Sequence, residues 1–165
     1  MENIQGTANW IGRHSFIGKI YALVDGERLL VSPTYTKDGL TLANITEVGG
    51  WLQVGGGEDA LSFIFRFQDK TQDHYHFKLS MLDKRTKAVD ISRNSYLGYY
   101  EGLGNRPDMK FEPLEWGENT LRCRWRDSEG REVKAHSDVL HSTTNARNLV
   151  AGEGIEQQYL IERIR

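Results

Sequence analysis

A chain of 165 residues, 38% hydrophobic and 27% charged, is long enough for one domain with a substantial core and too apolar for disorder. Its formal charge of −2 gives no electrostatic reason for a nucleic-acid or anionic-membrane partner. A single cysteine, Cys123, excludes an intramolecular disulfide and any zinc site built on two or more thiolates.

Apolar and polar residues alternate with period two, punctuated by Gly, Asn and Asp, and this pattern predicts strands. In chain order they are Phe16–Val24, Arg28–Val31, Leu40–Thr46, Trp51–Val54, Ala60–Gln68 and His74–Met81. Lys87–Ser92, Tyr96–Tyr100, Asn119–Asp127, Arg131–Leu140 and Glu156–Ile164 follow. Turn residues separate them, as at Asp25-Gly26, Lys37-Asp38-Gly39, Gly49-Gly50, Gly55-Gly56-Gly57 and Ser128-Glu129-Gly130. Ser142–Val150 is read as a single short helical turn. The spacing predicts one all-β domain over residues 1–165, an antiparallel two-sheet sandwich or jelly roll, with a closed lipocalin-like barrel as the alternative.

Two hairpins can be registered by arithmetic. Phe63, Phe65 and Phe67, joined through Asp69–Gln72 to Tyr75, Phe77 and Leu79, form an aromatic inner face. In NTLRCRWRDSEGREVKAHSDVL, Gly130 takes the left-handed position of a three-residue turn, so Asp127 faces Arg131. That register aligns Trp125 with Val133, Cys123 with Ala135, and Leu121 with Ser137. On the outer face Arg126 meets Glu132, Arg124 meets Lys134, and Arg122 meets His136.

The strand period also puts His74 and His76 on one side, as two metal ligands would be. A metal needs a third ligand, for which His136 or His141 on a neighbouring strand is the candidate imidazole, and Arg66 and Lys78 share the predicted face. The expected role of the two histidines is therefore a solvated strand face, with no metal and no other cofactor. Arg122, Arg124 and Arg126 form a stripe that suits a planar anion, either a carboxylate, a phosphate or a sugar acid. Cross-hairpin pairing is the plainer use of that stripe, and Arg124 beside Lys134 is the position least satisfied by it.

The loop NSYLGYYEGLGNRPD is the richest in ligand-binding chemistry. Tyr96, Tyr99 and Tyr100 offer flat amphipathic rings, and Glu101, Asn105, Arg106 and Asp108 offer directional polar groups, the combination used to bind sugars. One or two of the tyrosines closing the end of the core is an equally economical reading. GGWLQVGGGED lacks the Gly-Lys-Ser/Thr ending of a phosphate loop. No Gly-x-Ser-x-Gly elbow is present, and Cys123 faces inward on its strand, so no hydrolytic nucleophile is identified.

GGGEDALSFIFRFQDKTQDHYHFKLSMLDKR, Gly55 to Arg85, resembles the central hairpin of concanavalin A-like (laminin-G-type) sandwich domains, with its Phe-Arg-aromatic-Gln-Asp turn and aromatic-rich return strand. The resemblance implies a two-sheet jelly roll that binds glycans or proteins. The Glu-x-Asp-type strand of the family's glycan hydrolases is absent here, so the resemblance does not extend to their activity.

The expected function is a soluble, non-catalytic binding module with a glycan or small-molecule ligand, held at Tyr96, Tyr99, Tyr100, Glu101, Asn105, Arg106 and Asp108. An enzyme that encloses a metabolite in a hollow barrel is the second reading, and a structural subunit assembling through strand edges into a homo-oligomer is the third. The first ten residues lack a basic segment followed by an apolar run, and no stretch approaches the roughly 20 apolar residues of a membrane span. A cytoplasmic location is expected, with a secreted mature chain as the alternative.

Overall fold

Alternation becomes strand along most of the chain. The computed structural model describes residues 10–11, 14–37, 46–54, 62–82, 87–136 and 147–165, except for the side chains of 33–37 and 46–51. Its strands are β1 (Phe16–Val24), β2 (Glu27–Lys37), β3 (Thr46–Val54), β4 (Phe63–Lys70), β5 (Tyr75–Met81) and β6 (Lys87–Ile91). They continue with β7 (Leu97–Glu101), β8 (Met109–Trp116), β9 (Thr120–Arg126), β10 (Val133–Ala135), β11 (Arg147–Ala151) and β12 (Gln158–Arg163). The all-β expectation holds: the one helical element among the described residues is a 3-10 turn, Leu103–Asn105. No helix among them is long and apolar enough to cross a membrane.

Antiparallel pairing runs β1–β12–β9–β8–β5–β4 and returns to β1 through Phe16↔Phe65 and Gly18↔Phe63, closing a six-stranded ring. That ring is a barrel rather than the two-sheet sandwich expected first, and it is narrower than an eight-stranded lipocalin barrel. The free edge of β1 is shared. Its first residues pair with β4, whereas Tyr21–Val24 pair with β2, and the sheet extends from there through β3 to β11 and β10. Gly18 lies where β1 serves both neighbours, and a Cβ there would sit 2.7 Å from the Glu162 carbonyl oxygen on β12. Only glycine allows that approach without moving backbone.

Inward-facing side chains fill the ring. Each strand supplies at least one aromatic: Phe16, Phe65, Phe77, Phe111, Trp125 and Tyr159, none more than 6% exposed, with Phe63 and Tyr75 added from β4 and β5. Neighbouring rings touch in strand order, with centroids at 4.5 Å for Phe16–Phe65, 5.6 Å for Phe65–Phe77 and 6.0 Å for Phe77–Phe111. Phe111–Trp125 at 5.5 Å and Trp125–Tyr159 at 5.2 Å continue the series. Val31, Leu52, Val54, Val133, Ala135 and Leu149 extend the same core beneath β2, β3, β10 and β11.

Several elements depart from the sequence reading: Gly49-Gly50, expected as a turn, lies within β3, and β2 runs on past Val31 to Lys37. Met109–Trp116 is a strand that alternation did not single out, because Pro113 interrupts it, and its ladder shifts register between Pro113 and Glu115. Residues 147–150, expected in a helical turn, belong to β11. The β9–β10 hairpin is registered correctly only at its turn. Gly130 has φ +89°, Asp127 N donates to the Arg131 carbonyl at 2.9 Å, and Arg126 bridges to Glu132. Beyond that point the strands part: Cys123 pairs with Pro113 and Tyr159, and Ala135 pairs with Leu149. Cross-barrel closure outcompetes the local hairpin. The expected strand Leu40–Thr46 lies outside the described residues, apart from Thr46 at the start of β3.

Burial pushes the Cys123 thiol and the Tyr159 phenol well above their ordinary pKa values. An unfolded chain would ionise them near about 8.5 and about 10. Because the folded values are raised, their stabilising contribution is complete below about pH 8.5 and is lost as pH rises. Urea-unfolding midpoints are expected to fall between pH 8 and pH 10.5. Cys123→Ala should flatten the first part of that decline and Tyr159→Phe the second, and a midpoint independent of pH over this range would contradict the burial of both groups.

Candidate functional site

Among the described residues the inward positions of the ring are occupied by packed side chains, and the polar groups singled out in the sequence lie on its outer surface. There the arginine stripe of β9 lies between β8 and β12. Strand register sets Arg124 opposite Glu112 on β8, and Gln158, just before the Tyr159↔Cys123 pair of the β9–β12 ladder, lines the same cleft as Arg124. Both neighbours are engaged elsewhere. Glu112 accepts from Arg126 Nη2 at 3.3 Å, and Gln158 Oε1 accepts from Arg122 Nη1 at 2.6 Å. Arg122 Nε also reaches Glu115 at 3.2 Å, and Arg126 Nη1 lies 3.7 Å from Glu132. Arg124, half-buried between two satisfied arginines, has no ion pair or hydrogen bond among the described residues.

Arg124 lines an open polar cleft of about 190 Å³ with Glu132, Glu156, Gln157 and Gln158. The far wall is braced from the core: Gln157 Nε2 donates to the Tyr159 hydroxyl at 2.7 Å, which donates to the Val133 carbonyl at 2.8 Å. That chain ties the start of β12 to β10 and leaves the Gln157 carbonyl oxygen facing no partner among the described residues. Lys134 belongs to the same corner, 4.0 Å from Glu156, so its charge is not added to that of Arg124. The sequence reading identified Arg122 and Arg124 but not Glu132, Glu156, Gln157 or Gln158. Glu132 was legible only as the cross-turn partner of Arg126, and the only signal for Glu156, Gln157 and Gln158 was alternation in Glu156–Ile164; β9–β12 pairing, not sequence spacing, brings those three to Arg124.

The tyrosine loop is assembled differently from the expected ligand platform. Tyr99 is 9% exposed and belongs to the core, so its ring is not offered to a ligand. Tyr96 is half-buried and lies against His136, with ring centroids 5.6 Å apart. Tyr100 carries the Arg106 guanidinium 4.8 Å from its ring centroid. Arg106 is held on two further sides, by Asp90 Oδ2 at 3.2 Å and the Glu101 carbonyl at 3.0 Å. Lys78 donates to the Arg106 carbonyl and pairs with Asp108 at 3.1 Å. Two of the four polar residues singled out here, Arg106 and Asp108, therefore fasten the 102–108 segment to β6 and β5. The side chains of Glu101 and Asn105 remain exposed.

His74 and His76 are half-buried at the start of β5, and His76 pairs across the ladder with Lys110. Among the described residues no group of three or more His, Cys, Asp or Glu side chains is placed to hold a metal. His141 lies outside them. His74 Nε2 is buried with no hydrogen-bond partner there. Burial lowers the His74 pKa, and the nearby Glu112 carboxylate partly opposes the shift.

Compared with family models, curated proteins and solved structures, this chain has no match.

The depressed His74 value has a defined sign. Neutral His74 contributes its full stability above the ordinary imidazole pKa of about 6.5, and the contribution is lost as pH falls through the lower folded value. An NMR titration is expected to place the His74 midpoint below 6.5, and a midpoint above 6.5 would mean that Glu112 outweighs burial.

Proposed function

We propose that this chain is a non-catalytic binding module that takes a small, hydroxyl-rich ligand, carbohydrate being the favoured class, in the Arg124 cleft. The observation that carries the proposal is a half-buried guanidinium left, among the described residues, without a partner between two paired ones. A charged donor held in a partly desolvated site gains more from a ligand acceptor than one exposed to bulk water. Glu132, Glu156 and Gln157 supply acceptors and the Gln158 amide supplies a donor, a mixture that complements hydroxyl groups. The resemblance of Gly55–Arg85 to concanavalin A-like domains leans towards the same ligand class. The enclosing-enzyme reading gains nothing from a barrel interior occupied by aromatic rings.

A cleft of about 190 Å³ is smaller than the roughly 300–1,000 Å³ of drug-sized pockets, which fits a single sugar ring. At about −0.3 kcal/mol per heavy atom, a ligand of about 13 heavy atoms gains about −4 kcal/mol, a Kd of about 1 mM. Weak, fast-exchanging binding is therefore expected of one ring, and tighter binding only of a longer chain.

Titrating ¹⁵N-labelled protein with a panel of monosaccharides locates the site. Amide shifts are expected at Arg124, Glu132, Gln157 and Gln158, with residues 96–108 unmoved. Shifts confined to 96–108 would return the site to the tyrosine loop, and no shifts up to about 50 mM sugar would remove the proposal.

A further inference from the structure

Resting on the Arg124 cleft as the ligand site, we infer that its ligand presents one carboxylate to Arg124 and hydroxyls to the surrounding acceptors, as an acidic monosaccharide does. Three features of the cleft select this class over neutral sugars and phosphate esters.

The first is the shape of the free donor. A guanidinium presents two parallel N–H groups that match the two oxygens of a planar carboxylate, whereas a neutral hydroxyl engages it at a single point. Arg122 and Arg126 are drawn sideways by Glu115, Gln158, Glu112 and Glu132, so neither competes for the same anion.

The second is local charge. Glu132 and Glu156 line the cleft with Arg124, and the partners of those two carboxylates are loose, at 3.7 Å for Arg126 and 4.0 Å for Lys134. Each further negative charge brought beside Glu132 and Glu156 adds repulsion, and Arg124 is the one cation of the cleft lining without an ion-pair partner among the described residues. A phosphate monoester, with a charge of about −1.5 to −2 at neutral pH, is therefore disfavoured relative to a carboxylate, which brings only the single charge that Arg124 can offset.

The third is the remaining hydrogen-bond inventory. The Glu132 and Glu156 carboxylates and the Gln157 carbonyl accept, and among the described side chains lining the cleft the Gln158 amide is the one other donor. A ligand that fills the cleft must therefore carry several donors of its own beside its acid group. A simple carboxylate such as acetate lacks them, while a ring bearing hydroxyls supplies them within about 190 Å³.

The test compares glucuronate, glucose, glucose 6-phosphate and acetate by amide-shift titration and calorimetry, on wild type and on Arg124→Gln and Arg124→Lys. Glucuronate is expected to bind at least tenfold more tightly than the other three, with the advantage shrinking as ionic strength rises. Arg124→Gln should abolish the preference for glucuronate over glucose, and Arg124→Lys should recover only part of it. Amide spectra of each variant report its fold, and if Arg124→Gln fails to fold the wild-type ranking of the four probes still decides. Equal binding of glucose and glucuronate at the cleft, or a preference for the phosphate ester, overturns the carboxylate inference while leaving the cleft as a sugar site. Absence of any shift at the cleft with all four removes both.

Discussion

Closure of six strands around six aromatic rings is the constraint on which the rest of this molecule depends. Phe16, Phe65, Phe77, Phe111, Trp125 and Tyr159 come from six different strands and touch in strand order. A six-stranded ring is too narrow to keep a hollow once its inward positions are this large. Each aromatic buries on the order of 150–250 Å², so the set supplies much of the driving force for closure. The same rings fix register, because a one-residue slip of any strand would turn its aromatic outward.

Filling the interior moves chemistry to the outside and decides which outer groups become neighbours. Trp125 and Tyr159 must meet inside, and this pairs β9 with β12 and strips β10 away from β9 after one bridge. Gln158 then lies beside the arginine stripe in place of Lys134. Arg122 turns to Gln158 and Glu115, Arg126 turns to Glu112 and Glu132, and Arg124 keeps no partner among the described residues. The unpaired cation thus follows from the packing of the core. Tyr159 takes part on both sides, with its ring against Trp125 and its hydroxyl bracing Gln157 at the cleft wall.

Much of the fold was legible in the sequence because period two is a local property. The inward residues of β4, β5 and β9 were readable from alternation, and Gly130 from the turn it must make. Closure was not legible, since nothing near Cys123 in sequence announces that Pro113 and Tyr159 will flank it. Pro113 concealed β8, although Met109 and Phe111 already alternated with Lys110. In the tyrosine loop, alternation alone separates Tyr99 from Tyr96 and Tyr100, so one face could never have presented all three rings. Arg106 drew notice for its charge, yet Asp90 and the Tyr100 ring, brought close only by the fold, occupy it. At the cleft, Gln157 and Gln158 carry no charge pattern and gain their meaning only from the strand laid beside them.

Packing leaves Arg124, alone of the three arginines on β9, without a partner among the described residues, and arginine side-chain NMR reads this out. Exchange of each Nε–H proton with water reports whether the guanidinium is held. In the ligand-free protein, fast exchange and free guanidinium rotation are expected for Arg124, against slowed exchange for Arg122, whose Nε is bonded to Glu115. An Arg124 Nε–H protected as strongly as that of Arg122 would show that the protein already satisfies it and that the cleft holds no available cation.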